Sequence, residues 1–132
     1  MKPKVLVADD LPDVQEMVKE SLTALSNDGV EILQALDIIS AKRMVKDNPD
    51  IKVIVMDYYM PLRADDPKKS VNINTIDLIH ELRERFLFKG SIIAASSDED
   101  NRKLQLAAGC DCETEKRAEN IAKKVMEVLN LS

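Results

Sequence analysis

The sequence predicts an α/β domain in which helices cover both faces of a parallel β-sheet, and two observations support this prediction. Short apolar runs alternate with longer segments in which apolar residues recur at helical spacing. The run at residues 53–56 is continuously apolar and largely β-branched, which is typical of a central parallel strand buried on both faces. Five strands that alternate with five helices indicate a doubly wound sheet.

The individual elements are predicted in chain order from the same pattern. The strands are predicted at residues 5–8, 30–34, 53–56, 92–95 and, more weakly, 110–113. The helices are predicted from five apolar stripes, at Val14, Met17, Val18, Leu22 and Leu25; at Ala41, Met44 and Val45; at Ile76, Ile79, Leu82 and Phe86; at Leu104, Ala107 and Ala108; and at Ile121, Ala122, Val125 and Leu129. The polar segment 62–74 is longer than most strand-to-helix connections, which indicates a functional or mobile loop.

Length, charge and cysteine content limit the class of protein. A chain of 132 residues fits one domain, predicted here as residues 1–132. Its net charge of −5 argues against direct nucleic-acid binding, which requires a basic surface. The apolar stretch near the N-terminus is too short for a signal peptide or a membrane span, so a cytoplasmic location is expected. Cys110 and Cys112 are predicted to lie on one face of the last strand as small hydrophobic residues.

Residues whose side chains can react or bind a metal ion follow the ends of the predicted strands. Asp9 and Asp10 follow the first strand, Asp57 the third and Ser96 the fourth, and Lys116 comes shortly after the fifth. Because ligands bind outside the carboxyl ends of parallel strands, these side chains are expected to converge at one edge. Adjacent carboxylates need a cation, and Mg²⁺ prefers oxygen ligands, while a lysine and a hydroxyl can donate to a phosphoryl group. The set predicts phosphoryl transfer to an aspartate.

The order and spacing of these motifs identify a family resemblance. Asp9-Asp10, the segment Val-Met-Asp-Tyr-Tyr-Met-Pro at residues 55–61, Ser96 and the segment 109–116 together resemble the receiver domains of response regulators, the CheY-like superfamily. The resemblance extends over essentially the whole chain. It implies a (βα)5, flavodoxin-like sandwich whose parallel sheet has the strand order 2-1-3-4-5.

The same resemblance implies a role for each site residue. The roles are phosphoacceptor for Asp57, direct Mg²⁺ ligand for Asp10, ligand largely through water for Asp9, carbonyl ligand for Tyr59, switch hydroxyl for Ser96 and phosphoryl contact for Lys116.

The resemblance also implies a function in two-component phosphorelay signal transduction. The phosphoryl group would come from a histidine kinase or a histidine phosphotransfer protein. The chain would not be an enzyme in the usual sense, since it would catalyse only its own phosphorylation and dephosphorylation. We expect its output to be binding to a downstream effector protein, although a middle carrier in a relay and a piece of a larger protein remain open.

Three features depart from the family pattern. Glu113 replaces the aromatic residue that normally couples to the switch hydroxyl, so the output is expected to use another route. Arg117 replaces the proline that usually follows the lysine, and a trans bond is expected there because a cis bond before a non-proline residue is costly. The segment 62–74 is interpreted as an insertion of about ten residues beside the site, either a gate or partner surface or an idle surface loop.

Two other functions remain open on the sequence alone. A pseudo-receiver would bind proteins without being phosphorylated, as the changes at Glu113 and Arg117 suggest. A phosphatase that passes through an aspartyl phosphate would need a second acid two residues after the nucleophile, where this chain has Tyr59. His80 lies in a predicted helix between two strands and is interpreted as a solvated or half-buried helix residue rather than as a phosphorylated histidine.

Overall fold

The computed structural model describes residues 2–130. Within these residues there are seven strands, at β1 (Lys4–Ala8), β2 (Glu31–Ala35), β3 (Ile51–Met56), β4 (Tyr59–Pro61), β5 (Asn72–Asn74), β6 (Ser91–Ala95) and β7 (Cys112–Thr114). The helices in the same range are α1 (Pro12–Ser26), α2 (Ile38–Asp47), α3 (Ile76–Glu84), α4 (Glu99–Ala108) and α5 (Ala118–Val128). None of these helices is long and apolar enough to span a lipid bilayer.

The main sheet has five parallel strands in the order β2-β1-β3-β6-β7. With the short pair β4-β5 set aside, this is the predicted order 2-1-3-4-5, so the doubly wound, flavodoxin-like fold is confirmed. Alternate residues of β3 are buried on opposite faces: Ile54 and Met56 pack with α2 and α3, and Val53 and Val55 pack with α1 and α5. The continuously apolar run therefore belongs to a central strand that is covered on both sides.

Two helices, α4 and α1, differ from the predicted apolar stripes. In α4, Leu104 is exposed and Gln105 is completely buried. In α1, Met17 and Leu25 are exposed, whereas Gln15 is buried. These polar side chains lie inward because each bonds to main-chain carbonyl groups of the sheet, as described below.

Several strand bounds differ from the predictions by one or two residues, and two boundaries differ in a way that changes where side chains lie. Helix α3 ends at Glu84, so Phe86 lies beyond it, and the chain turns through Leu87, which has a positive φ of 53°. Strand β7 begins at Cys112 rather than at Cys110. Because Cys110 precedes the strand, the alternation rule does not relate the two cysteines: Cys110 packs with α2 and α3, and Cys112 packs on the opposite face. The prediction that they share one face was wrong.

Arg83 joins α3 to the loops at the amino ends of β6 and β7. Its Nε donates to the Gly109 carbonyl at 3.1 Å, and its Nη1 donates to the Phe88 and Gly90 carbonyls at 3.0 and 2.8 Å. Its Nη2 lies 2.6 Å from Asp111 Oδ2. We expect Arg83→Met to lower the free energy of unfolding by about 2 kcal/mol in urea titrations, because several partly buried acceptors would lose their donor.

Two further variants distinguish the effect of losing the Arg83 hydrogen bonds from the effect of losing a positive charge. Arg83→Lys should recover only part of the stability, since a lysine presents a point charge rather than a planar fork. Arg85→Met removes a side chain that is 77% exposed and should change stability by less than about 0.5 kcal/mol. Equal losses in Arg83→Met and Arg85→Met would contradict the role given to the Arg83 hydrogen bonds.

Candidate functional site

The candidate site lies at the carboxyl edge of the main sheet, where the topology brings the predicted residues together. Asp9 directly follows β1, Asp57 follows β3 and Ser96 follows β6, while Lys116 lies two residues beyond the end of β7. The backbone extends the sheet here, since the Asp57 N–H donates to the Ala8 carbonyl at 3.0 Å. The predicted convergence of these strand ends is therefore what the structure shows.

Lys116 connects two of the carboxylates. Its Nζ lies 2.9 Å from Asp57 Oδ2 and 3.1 Å from Asp9 Oδ2. The other oxygens of these two acids accept main-chain N–H groups, from Tyr58 at 2.8 Å and from Leu11 at 2.9 Å. Both carboxylates are thus fixed in orientation, with the lysine between them.

Asp10 completes an acidic cluster with these two residues. One carboxylate oxygen from each of Asp9, Asp10 and Asp57 lies within 4.8 Å of the others. A single lysine leaves this cluster with excess negative charge, which a divalent cation would balance. Carboxylate oxygens are the ligands that Mg²⁺ prefers, so the donor set fits this ion.

The protonation of the cluster reflects burial and mutual repulsion. Burial, together with the charge of Asp9, raises the pKa of Asp57 to about 6. Burial likewise raises the pKa of Asp9. Burial alone would lower the pKa of Lys116, but its hydrogen bond to Asp57 and the two negative charges outweigh burial, and the pKa rises. In the absence of a cation, the buried carboxylates are therefore held in an unfavourable charged state at neutral pH.

Two buried polar side chains hold the backbone of Asp57. Thr75 Oγ1 donates to the Asp57 carbonyl at 2.7 Å. Gln105 Nε2 donates to the Met56 and Asp57 carbonyls at 3.1 and 3.3 Å. Both side chains are completely buried. Sequence reasoning missed them, although a glutamine within an apolar helical stripe is a signal that could have drawn attention to Gln105.

Gln15 has the corresponding position at the end of β1, and it was also missed. Its Nε2 lies within 3.1 Å of the carbonyls of Val7, Asp9 and Ala35. The amide therefore ties α1 to the carboxyl ends of β1, which leads into the acidic cluster, and of β2.

The carbonyl of Tyr59 has the freedom that a ligand role requires. Strands β4 and β5 pair antiparallel with Tyr59 opposite Asn74 and Met60 opposite Ile73. The Thr75 N–H donates to the Tyr58 carbonyl at 2.8 Å. Since hydrogen-bonded pairs alternate along an antiparallel ladder, the Tyr59–Asn74 pair is a non-hydrogen-bonded one and the Tyr59 carbonyl points away from β5.

Ser96 is buried at the edge of the same site. Its Oγ accepts the N–H of Asp98 at 3.1 Å, and it borders an open cleft of about 370 Å³ with Asp57 and Lys116. Tyr59 and Asn72, which belong to β4 and β5, form part of the same cleft. The inserted segment thus borders the site.

The insertion is an ordered hairpin that is bonded to α2 as well as to itself. Arg63 and Lys69 pair through their backbones at 3.1 Å. The Ala64 N–H donates to Asp37 Oδ2 at 2.9 Å, and the Ile39 N–H donates to the Leu62 carbonyl at 3.2 Å. Whether this hairpin gates the site or binds a partner stays a prediction.

Glu113 and Arg117 are the two single residues that depart from the family pattern, and the structure shows the contacts of the first and the backbone of the second. Glu113 Oε1 accepts a hydrogen bond from Arg102 Nε at 2.8 Å. The peptide bond between Lys116 and Arg117 is trans, as expected, since no cis bond occurs within the described range. His80 is exposed on α3, which is the solvated of the two predicted alternatives.

Comparison with known proteins agrees with this fold. No protein-family model matches the chain. Chemotaxis protein CheY homologues of Campylobacter jejuni are 29% identical over 80 residues, which are 61% of this chain and 52% of theirs. The chain therefore aligns with about half the length of the curated relatives it matches.

Solved structures match over nearly the whole chain. A protein of Chloroflexus aurantiacus assigned as a response regulator has a TM-score of 0.77 at 19% identity, and the match covers 98% of this chain and 99% of that one. A CheY-like response regulator receiver domain protein of Methanospirillum hungatei has a TM-score of 0.75 at 17% identity, with 98% and 95% covered.

The fold of this chain can therefore be stated. It is the flavodoxin-like fold of the CheY-like receiver domain structures, with a parallel sheet of five strands and five helices.

Proposed function

We propose that this receiver domain takes a phosphoryl group on Asp57 in a Mg²⁺-dependent reaction and that phosphorylation switches its binding to another protein. The observation that carries the proposal is the setting of Asp57: it ends the central strand, is bonded to Lys116 at 2.9 Å, and lies within 4.8 Å of two more carboxylates. A structural ion pair would need one acid for one lysine. Three acids at a strand-end cleft form a ligand set for a cation, and the cation together with Lys116 could hold a phosphoryl group.

The reaction moves one phosphoryl group between two proteins. The P–N bond of a phosphohistidine breaks, a P–O bond forms to a carboxylate oxygen of Asp57, and the histidine leaves with a proton from solvent. Lys116 would donate to a phosphoryl oxygen, and the Ser96 hydroxyl would donate to another. Asp10, Asp57 and the Tyr59 carbonyl would hold Mg²⁺, with Asp9 acting largely through water. The metal would supply charge neutralisation for the two reacting anions.

The donor would be a histidine kinase or a histidine phosphotransfer protein, and the receiver of the signal a downstream effector protein. The chain would catalyse only its own phosphorylation and dephosphorylation, and it would act in the cytoplasm. A second candidate function is that of a pseudo-receiver, and one observation favours it. Glu113 stands where the family usually has the aromatic switch residue, and its carboxylate forms an ion pair with Arg102.

The deciding experiment is intact mass spectrometry after incubation with Mg²⁺ and acetyl phosphate. We expect the mass to increase by one phosphoryl group, and we expect no increase in Asp57→Asn or after chelation of the metal. Asp47→Asn, which changes an aspartate at the end of α2, is the matched control and should be phosphorylated like the wild type. An unchanged wild-type mass would overturn the proposal and favour the pseudo-receiver.

A further inference from the structure

Arg102 connects the site to the last strand of the sheet through two directional bonds. Its Nη1 donates to the Ser96 carbonyl at 2.7 Å, and its Nε donates to Glu113 Oε1 at 2.8 Å. The Arg102 side chain is only 11% exposed, whereas that of Glu113 is 38% exposed. One planar guanidinium thus joins Ser96, the residue that follows β6, to a residue of β7 that reaches solvent.

The segment that follows Ser96 is rigidly attached to α4. The Asp98 N–H donates to Ser96 Oγ, and the Asp98 side chain caps the helix by accepting the N–H groups of Asp100 and Asn101. A displacement of Ser96 must therefore move the start of α4 or break one of these bonds. Arg102, in the first turn after this cap, lies directly in that path.

Helix α4 is also anchored on its other side to the backbone of Asp57. Gln105 lies three residues after Arg102 and donates to the Asp57 carbonyl. Residues three apart project from the same face of a helix. The two side chains on this face therefore contact both strand ends that border the cleft, while Glu113 is the point at which the network reaches the surface.

We propose that Arg102 is the positioning residue that couples Ser96 to Glu113, in place of the missing aromatic residue. The inference rests on the proposed phosphorylation of Asp57. When Ser96 moves towards the phosphoryl group so that its hydroxyl can donate to a phosphoryl oxygen, the Ser96 carbonyl moves with it and loses its bond to Arg102. The guanidinium then reorients, its bond to Glu113 breaks, and the α4–β7 surface changes its charge pattern. The signal would thus reach the surface that binds a partner through the breaking of an ion pair, rather than through the rotation of an aromatic side chain.

Amide hydrogen exchange, combined with intact mass, tests this coupling. Exchange is measured for peptides that cover residues 110–116, with and without Mg²⁺ and acetyl phosphate. In the wild type we expect phosphorylation to change exchange in these peptides about fivefold or more, and in Glu113→Gln by less than about twofold. Arg102→Lys keeps the charge but not the planar fork, and it should also lose the response.

A matched control lies on the same helix. Glu99 and Lys103 form an exposed pair at 3.9 Å, so Glu99→Gln removes a similar charge without touching Ser96 or β7. It should respond like the wild type. Because Glu113 is more than one-third exposed, Glu113→Gln is expected to remain folded, which a thermal melt verifies.

The two readouts separate the coupling from the chemistry. A gain of phosphoryl mass with the exchange response lost in Glu113→Gln and Arg102→Lys supports the coupling. A gain of mass with the response retained in both variants overturns the coupling and leaves phosphorylation standing. An unchanged mass in the wild type overturns the proposed function, and the relay through Arg102 with it.

Discussion

Replacing Lys116 with methionine should lower the free energy of unfolding by about 3 kcal/mol at pH 8 without added metal, one of the two largest effects expected for a single substitution in this domain. The lysine contacts two buried carboxylates, and removing one partner of a buried ion pair leaves the remaining charges buried without compensation. Without it, Asp9 and Asp57 would face each other uncompensated. The same variant should slow phosphorylation by about a hundredfold, since one donor to the phosphoryl group is lost.

The loss of stability should depend on pH in a defined direction. The pKa values of Asp9 and Asp57 are already raised in the wild type, and removal of the positive charge of Lys116 would raise them further. Near pH 5 the acids would take up protons and relieve the repulsion, so the difference from the wild type should shrink. Urea titrations at the two pH values measure this, with Lys103→Met as an exposed-lysine control. A loss of equal size at both values would contradict the explanation.

Replacing Asp57 with asparagine should have the opposite effect and stabilise the metal-free domain by about 2 kcal/mol at pH 8. A carboxyl whose pKa rises from 3.8 to about 6 on folding binds a proton more tightly in the folded state. Folding stability from this group is therefore full below the unfolded pKa and is lost as pH rises through the folded pKa. Asparagine has no such dependence, and its single oxygen can still accept from one of the two donors, Tyr58 N–H or Lys116 Nζ.

The difference between Asp57→Asn and the wild type should therefore be near zero around pH 4, grow as pH rises to about 6, and stay constant above that. Added Mg²⁺ should stabilise the wild type, by about 2.7 kcal/mol at a hundredfold excess over its dissociation constant, and the variant much less. Stability curves with and without metal across this range test both statements. A destabilised Asp57→Asn at pH 8 would show that the carboxylate is a structural requirement rather than a functional group.

The main sheet could be predicted because its strands carry their own signal. Apolar runs such as that of β3 are long enough to identify buried strands, and their alternation with helices leaves few arrangements. Once the sheet is parallel, the residues that follow each strand must lie at one edge. The proximity of Asp9, Asp57 and Lys116 therefore followed from order along the chain alone.

The supporting contacts could not be predicted in the same way. Gln105 is buried because it reaches carbonyls of β3, and Arg102 meets Glu113 across an interface between a helix and a strand. The only sequence signal for Gln105 is its place within an apolar helical stripe, and the contact between Arg102 and Glu113 leaves no periodic trace. Strand β5 is exposed throughout and three residues long, so it lacks the apolar alternation from which a strand is predicted.

The hairpin of β4 and β5 begins and ends at almost the same point in space, because the Thr75 N–H donates to the Tyr58 carbonyl at 2.8 Å. The distance between the end of β3 and the start of α3 therefore does not depend on how many residues the hairpin contains. This makes its tip, around Asp66 and Pro67, a position at which a fluorescent or affinity tag can be inserted without lengthening the connection between the sheet and the helix. A reporter placed there would leave both the surface formed by α4 and β7 and the buried faces of the main sheet untouched.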